Sequence, residues 1–139
     1  MQVLPYINMD GRCEEAIAFY QKVFGAKVEM VMRFSDMPAG PDACPGGPVD
    51  KQKIMHSSLM IGETRVMMSD CNCEGKARMA GVSLSVNPAS DAEAATLFAG
   101  LSEGGQVQMP LTKTFFASSF GTLTDKFGVA WMIVVEAPR

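Results

Sequence analysis

Residues 16–26 read Ala-Ile-Ala-Phe-Tyr-Gln-Lys-Val-Phe-Gly-Ala, and this stretch decides the fold. Its apolar side chains recur at helical spacing, which predicts an α-helix over residues 12–24. Gly25 follows directly, and glycine commonly ends a helix because it adopts a left-handed backbone without strain. Residues 27–34 then alternate in the manner of a strand. The stretch is therefore predicted to join a helix to a strand.

Around this junction the sequence predicts one further strand before the helix and two after it. Residues 3–9 predict the first strand, and residues 54–61 and 64–69 predict a hairpin that turns at Gly62. Residues 35–53 are rich in proline and glycine and predict a long polar loop, of the kind that often forms a lid or a binding loop. The first half is thus predicted to be a βαβββ module.

The second half of the chain repeats this order. Ser90 and Glu93 predict a capping box at the start of a helix that ends near Ser102, before two glycines. Strands are predicted over residues 81–86, 106–111, 116–122 and 130–135. Segments of the two halves match in the same order, namely residues 15–20 with 93–98, 25–30 with 104–109, and 56–59 with 117–120. These matches predict an internal duplication of the βαβββ module.

The composition excludes several classes of function. The 139 residues have a net charge of −3, so the chain lacks the excess of lysine and arginine that neutralises nucleic-acid phosphates. No apolar run is long enough to span a membrane, and no signal peptide is evident. We therefore expect a cytoplasmic protein with no nucleic-acid or membrane partner, whose four cysteines are reduced thiols. A zinc site of Cys71, Cys73 and His56 is less favoured, because Cys-x-Cys is tighter than the usual zinc spacing.

Several motifs resemble one protein family over essentially the whole chain. Residues 16–26 resemble the helix signature of the vicinal-oxygen-chelate superfamily, which includes glyoxalases, bleomycin-resistance proteins and extradiol dioxygenases. Pro5-Tyr6-Ile7, Val66-Met67-Met68-Ser69-Asp70 and Phe120-Gly121 resemble its PhnB-like branch. The most specific resemblance to that branch is Thr-Asp-Lys-Phe-Gly-Val-Ala-Trp-Met-Ile at residues 124–133, taken together with residues 67–70.

The resemblance implies an α+β fold of two tandem βαβββ modules, residues 1–70 and 78–139. Their curved mixed sheets are expected to surround a cleft, within a single domain that spans residues 1–139. The resemblance also implies a homodimer, and two-fold interfaces are the commonest in oligomers.

Metal-dependent members of the superfamily carry four ligands on the first and fourth strands of each module. At those places this sequence offers Pro5 or Tyr6, Met67 or Met68, Val82 or Ser83, and Trp131 or Met132. Because zinc, nickel, manganese and iron require imidazole, carboxylate or thiolate ligands, we expect neither the usual metal site nor a cofactor. Proteins of this branch are often described as demethylubiquinone methyltransferases, yet the sequence has no glycine-rich loop of the nucleotide-binding kind.

His56 is the only histidine and the candidate catalytic and ligand-contacting residue, because imidazole titrates near neutrality. A half-buried strand histidine bonded to a backbone group or a serine explains it equally well. The other candidate ligand-binding residues are Phe34, Met37, Met68, Phe116, Asp125 and Trp131. Single aromatic side chains are more often core than ligand contacts. Asp125 also fits a turn residue that bonds its own backbone while Gly128 supplies a positive φ.

Three functions remain open from the sequence. The leading hypothesis is a metal-free binding module that holds a small, partly apolar molecule between methionine-rich strands. The alternative is a lyase, isomerase or dioxygenase of the same superfamily that uses His56, with or without a metal. The third is a purely structural dimerisation module. Hydrolase chemistry is not indicated, because the sequence contains no Gly-x-Ser-x-Gly motif.

Overall fold

The chain folds into two compact units, Met1–Arg78 and Met79–Arg139. The structure is a computed structural model, and it describes residues 1–36, 51–70 and 78–137. Within these residues each unit has a four-stranded mixed sheet and one α-helix. The predicted α+β fold of two tandem βαβββ modules is therefore confirmed, whereas the single domain over residues 1–139 stays a prediction.

The first unit follows the predicted order of strand, helix and three strands. Its elements are β1 (Tyr6–Asn8), α1 (Cys13–Phe24), β2 (Lys27–Arg33), β3 (Ile54–Ile61) and β4 (Thr64–Ser69). The strand order in the sheet is β1-β4-β3-β2, with β1 parallel to β4 and the other neighbours antiparallel. The hairpin of β3 and β4 has the predicted bounds, because the glycine turn between the two strands is a local signal.

The second unit repeats this arrangement. Its elements are β5 (Leu84–Val86), α2 (Asp91–Ser102), β6 (Gln106–Thr112), β7 (Ala117–Thr124) and β8 (Ala130–Glu136). The strand order β5-β8-β7-β6, with β5 parallel to β8, matches that of the first sheet. The predicted internal duplication is therefore present in the fold. In the described part of the chain, neither helix is long and apolar enough to cross a membrane.

The strand register corrects one of the three matches between the halves. Val28 lies opposite Leu59, and Val107, its counterpart, lies opposite Leu123. Residues 56–59 therefore correspond to residues 120–123, and their predicted match to residues 117–120 was wrong by three positions. The predicted match rested on the Ser-Ser pair that the two stretches share. Two identical residues are too few to determine which residues face each other across paired strands.

Some predicted strand bounds also change. β1 and β5 are shorter than residues 3–9 and 81–86, because each pairs with a single neighbour and extends only as far as that pairing. β2 ends at Arg33 rather than Phe34, because the Asp36 carboxylate accepts the Arg33 N–H at 2.9 Å and residues Phe34–Asp36 form a 3₁₀ turn. Most of the predicted loop over residues 35–53 lies outside the described residues.

Each helix covers one face of the sheet in its own unit. In the first unit Cys13 of α1 contacts Ser57 of β3, with 3.6 Å between Sγ and Oγ, and both residues are buried. In the second unit Phe98 of α2 packs so closely on Gly121 that an added Cβ would lie 2.6 Å from its ring. The core of each unit lies between helix and sheet. We call the opposite side of each sheet its helix-free face.

Candidate functional site

The helix-free face of the first sheet sets polar side chains among methionines. The register places one residue from each strand in a row across this face, namely Tyr6, Met67, Ser58 and Met30. The next row contains His56 and Met32, which are direct cross-strand partners. Because strand side chains alternate, these two rows project on the same side as each other and away from α1. The candidate site is built from these two rows.

Tyr6 and His56 form the central polar pair of this face. The Tyr6 hydroxyl lies 3.2 Å from Nδ1 of His56, and the two rings stack with their centroids 5.6 Å apart. Tyr6 is 53% exposed and His56 is half-buried, so the pair is reachable from solvent. The hydrogen bond engages Nδ1, which leaves Nε2 as the ring nitrogen that would meet an incoming molecule. The half-burial of His56 agrees with the alternative of a structural strand histidine. Its hydrogen-bond partner, however, is the phenol of Tyr6 rather than a backbone group or a serine.

Glu29 joins the same face through a β-bulge. The register between β2 and β3 shifts between Val28 and Met30, which makes Glu29 the extra residue. Its carboxylate accepts hydrogen bonds from Arg65 Nε at 2.8 Å and Ser58 Oγ at 3.0 Å. These bonds, first from Arg65 and then from Ser58, hold the pKa of the Glu29 carboxyl below its usual value. The carboxylate is therefore ionised near neutrality and its charge is balanced by Arg65.

Glu29 and Arg33 are four residues apart on β2, and regular alternation would place them on one face of the strand. Arg33 instead donates to Glu14 of α1 at 2.9 Å, on the opposite side of the sheet. The bulge places Glu29 and Arg33 on opposite faces of the sheet, because an extra residue reverses the alternation of the side chains that follow it. No local pattern in the sequence marks this bulge. The second unit has a bulge at the matched position, where Gln108 is the extra residue between Val107 and Met109.

The helix-free face of the second sheet has a corresponding row of residues but fewer reactive side chains. The row that corresponds to Tyr6, Met67, Ser58 and Met30 contains Ser85, Met132, Thr122 and Met109. Phe120 occupies the position of His56, and Gln108 occupies that of Glu29, where its Nε2 donates to Thr124 Oγ1 at 3.1 Å. Both methionines of the row are thus kept, while the imidazole and the carboxylate are confined to the first unit.

The register also tests the superfamily's metal-ligand positions. On the helix-free faces, the first and fourth strands present Tyr6 and Met67 in the first unit and Ser85 and Met132 in the second. Ser85 replaces the Val82 or Ser83 expected from the sequence. A phenol, a hydroxyl and two thioethers do not match the imidazole and carboxylate donors of zinc, nickel, manganese or iron. Among the described residues, no three His, Cys, Asp or Glu side chains cluster as metal ligands.

Three of the predicted ligand-binding residues lie in the packed interior. Met68 is fully buried and Trp131 is 3% exposed, and both lie on the helix-covered faces of their sheets. Phe34 is buried in the 3₁₀ turn after β2. Because each of these three side chains is buried, we leave them out of the proposed site. Met37 lies outside the described residues.

Phe116 is the predicted ligand residue with the most accessible ring, at 45% exposure. Its ring centroid lies 5.2 Å from that of Phe115 and 5.2 Å from that of Phe120, in edge-on contacts. Phe116 therefore belongs to an aromatic cluster of the second unit. The structure does not bring it together with His56 in one unit.

Asp125 is a turn residue that bonds its own backbone, which is the structural alternative that the sequence offered. Its Oδ1 accepts hydrogen bonds from the backbone N–H groups of Phe127 and Val129, and Oδ2 accepts one from Trp131 Nε1 at 2.8 Å. Gly128 has the expected positive φ, at 91°. The carboxylate is 3% exposed and holds the β7–β8 turn against the core. These three hydrogen bonds are internal to the second unit.

Cys13 is a buried thiol rather than a reactive one. It is fully buried, and burial raises its pKa to about 12 even though a hydrogen bond with Ser57 acts in the opposite direction. A thiol is nucleophilic only as the thiolate, so Cys13 is inert near neutrality. Cys44, Cys71 and Cys73 lie outside the described residues, and with them the predicted alternative of a zinc site at Cys71, Cys73 and His56.

Comparison with known proteins places the chain in one family. A family model described as 3-demethylubiquinone-9 3-methyltransferase matches residues 1–134. Protein YjdN of Escherichia coli (strain K12) is 36% identical over 140 residues, which cover 97% of this chain and 95% of YjdN. The crystal structure of PA1353 from Pseudomonas aeruginosa has a TM-score of 0.84 at 42% identity and covers 98% of both chains. A structure from Bacillus cereus, described as a putative 3-demethylubiquinone-9 3-methyltransferase and PhnB protein, has a TM-score of 0.78 at 25% identity, over 97% of this chain and 99% of its own.

A more distant structure shares the fold alone. A glyoxalase-related enzyme from Fulvimarina pelagi has a TM-score of 0.63 at 16% identity and covers 98% of this chain and 89% of its own. The paired βαβββ modules are thus those of the glyoxalase fold. The chain belongs to the PhnB-like family, the family described as 3-demethylubiquinone-9 3-methyltransferase.

Proposed function

We propose that this protein binds a small, partly apolar molecule on the helix-free face of its first sheet. The observation that carries the proposal is the exposed Tyr6–His56 pair set among methionines. The phenol and the imidazole offer a donor and an acceptor at one place, which suits a hydroxyl or carbonyl group on the ligand. Ligand sites commonly combine an apolar lining with a few polar groups of this kind.

The methionines supply the apolar part of the proposed site. Met32 lies directly opposite His56, and Met30 and Met67 flank Ser58 in the neighbouring row. Methionine side chains are flexible and polarizable, and they make favourable contacts with aromatic rings. A ligand with a planar, unsaturated body and one polar edge therefore fits the face best.

We do not propose methyl transfer, although the family description names it. Each observed sheet is a small mixed sheet with one helix, unlike the doubly wound parallel sheet that binds nucleotide-type cofactors in many α/β enzymes. We also derive no step through the superfamily's usual metal, because the side chains at its ligand positions do not fit it. Turnover through His56 is kept as an outcome of the test below.

The test is a thermal-shift screen with planar aromatic and heteroaromatic compounds on protein stripped of metals with a chelator. A compound that binds the native state raises the melting temperature in a concentration-dependent way. For each compound that binds, we expect His56→Ala to weaken affinity by about tenfold or more, and Tyr6→Phe by a smaller factor. Ser85→Ala, at the matched position in the second unit, is the control and should leave affinity unchanged.

Two results would overturn this proposal. One is a screen with no stabilising compound at millimolar concentration. The other is binding that neither His56→Ala nor Tyr6→Phe weakens. If a compound is also converted chemically, and His56→Ala abolishes conversion while binding persists, the enzyme hypothesis takes precedence over a pure binding role.

We further propose that the protein works as a homodimer in the cytoplasm. The apolar side chains left half-exposed on the outer strands of both sheets support self-association, and the buried free thiol of Cys13 agrees with a reducing compartment. The modules are taken as residues 1–70 and 78–139, and the two units of the structure support that division.

A further inference from the structure

We propose that the helix-free face of the first sheet also binds a soft monovalent metal ion, Cu(I) or its analogue Ag(I). The ligands would be Nε2 of His56 and the thioether sulfurs of Met32, Met30 and Met67. This inference does not rest on the proposed small-molecule function. It follows from the donor atoms that the register brings together, which are unsuited to the superfamily's usual metals.

The register places these donors within reach of one point. Met32 is the direct cross-strand partner of His56, which corresponds to about 5 Å between their Cβ atoms. Met30 and Met67 each lie one row away, on the strands that flank β3, at the diagonal separation of about 7–8 Å. A methionine side chain has three rotatable bonds and extends far enough to close such gaps. Rotation about these bonds would direct the three sulfurs toward the imidazole.

The imidazole is oriented for this role by Tyr6. Its hydroxyl engages Nδ1, and the stacked ring limits rotation of the histidine. Metal-binding histidines commonly have the other ring nitrogen held by a hydrogen-bonding partner in this way, which fixes the ring and the ligating nitrogen. Tyr6 thus acts as a positioning residue, and Nε2 is the nitrogen available to a metal ion.

The donor chemistry selects the ion. Thioether sulfur is a soft ligand that favours Cu(I), whereas zinc, manganese and iron favour imidazole, carboxylate or thiolate donors. The nearby Glu29 carboxylate is engaged by Arg65 and Ser58, and its charge is already balanced. One imidazole and three neutral sulfurs would leave a net single positive charge at the site, which is less costly to hold on a half-buried face than a divalent ion would be.

The second unit supplies a matched control within the same chain. Met109 and Met132 occupy the positions of Met30 and Met67, but Phe120 replaces His56 and Thr112 replaces Met32. The second helix-free face therefore has two of the sulfurs and lacks both the nitrogen and the third sulfur. Our proposal places the metal ion on the first unit only.

The experiment uses the full chain with Cys44, Cys71 and Cys73 changed to serine, so that thiolates do not compete for the metal. Cys13 is retained because it is fully buried and protonated. Ag(I) is titrated into protein labelled with ¹³C at the methionine methyl groups, and Cu(I) affinity is measured anaerobically by competition with a chromogenic chelator. We expect one equivalent of Ag(I) to shift the methyl signals of Met30, Met32 and Met67, and to leave those of Met109 and Met132 in place.

Variants then test each ligand. His56→Ala and Met32→Leu should each weaken Cu(I) binding by about tenfold or more, whereas Met109→Leu should not change it. The proposal is overturned if no ion binds at micromolar concentration, if His56→Ala and Met32→Leu have no effect, or if the methyl signals of both units respond alike. Since the small-molecule screen is run on metal-stripped protein, either proposal can fail without the other.

Discussion

At the scale of single residues, Asp125 shows how one carboxylate can organise a turn. Its two oxygens accept hydrogen bonds from three N–H groups, including the indole of Trp131, and the carboxylate is shielded from water. A buried N–H group that loses its acceptor has given up its hydrogen bonds to water and has no hydrogen bond in the protein to replace them, which destabilises the folded state. The role of Asp125 is therefore to satisfy donors that the fold has already buried.

We expect Asp125→Ala to lower the free energy of unfolding by about 3 kcal/mol, because Trp131 Nε1 and two backbone N–H groups lose their acceptor. Urea denaturation followed by tryptophan fluorescence measures this change, since Trp131 is the only tryptophan. Glu63→Ala, in the exposed turn of the first hairpin, is the control and should change stability by less than about 0.5 kcal/mol. A loss for Asp125→Ala no larger than that of the control would contradict the role we assign.

At the scale of elements, the two helices begin in different ways. α2 starts with a local cap, in which the Ser90 hydroxyl accepts the Glu93 N–H at 3.1 Å. Glu93 accepts from the Ala89 N–H at 3.4 Å, one residue before the position in the predicted capping box. α1 has no side-chain cap from Arg12, and Asp70 at the end of β4 accepts the Cys13 N–H instead, at 2.9 Å. The two helices occupy matching places in their units, but α2 is capped by its own neighbouring residues and α1 by a tertiary contact from Asp70.

Because Asp70 also accepts the N–H groups of Gly11 and Ile54, it ties the helix start to two strands. We expect Asp70→Ala to lower the free energy of unfolding by about 3 kcal/mol, and Ser90→Ala by about 1 kcal/mol. Far-UV circular dichroism during urea denaturation measures both losses. If Ser90→Ala proves as costly as Asp70→Ala, α1 does not depend on the contact from β4.

At the scale of the whole molecule, the outer strands of both sheets carry apolar side chains that are not buried. These include Val28 and Val31 on β2 and Val107 on β6. Exposed apolar groups on sheet edges favour pairing with another chain, and proteins that stay monomeric usually protect such edges with charge. The proposed homodimer gives these side chains a partner.

We expect the protein to have twice the mass of its 14.9 kDa chain in solution at micromolar concentration. Val31→Lys combined with Val107→Lys should shift it to monomer, because a lysine buried at an apolar interface loses its hydration. Val82→Lys, at a position already 74% exposed outside the strands, is the control and should leave the mass unchanged. Size-exclusion chromatography with light scattering measures all three proteins. A monomeric parent protein would refute the dimer.

Much of the candidate site could not be read from the sequence. Met67 and Met68 are neighbours with the same side chain, and alternation says only that they face opposite sides of the sheet. The sequence offers Met68 as a ligand-binding residue, yet Met68 lies on the helix-covered face and Met67 lies on the helix-free face. Tyr6 and His56 are fifty positions apart, and nothing in either local pattern indicates that they share a hydrogen bond.

The sequence by itself determined the order of the elements, the helix ends, the first hairpin, the duplication and the family. These follow from local periodicity, from glycine at the turns and from short motifs, all of which act within a few residues of the chain. Only the tertiary structure decided the strand register, the bulge at Glu29, the helix-covered faces and the cap from Asp70. Each of these depends on hydrogen bonds and packing between distant segments, where a shift of one residue moves every side chain of a strand to the opposite face.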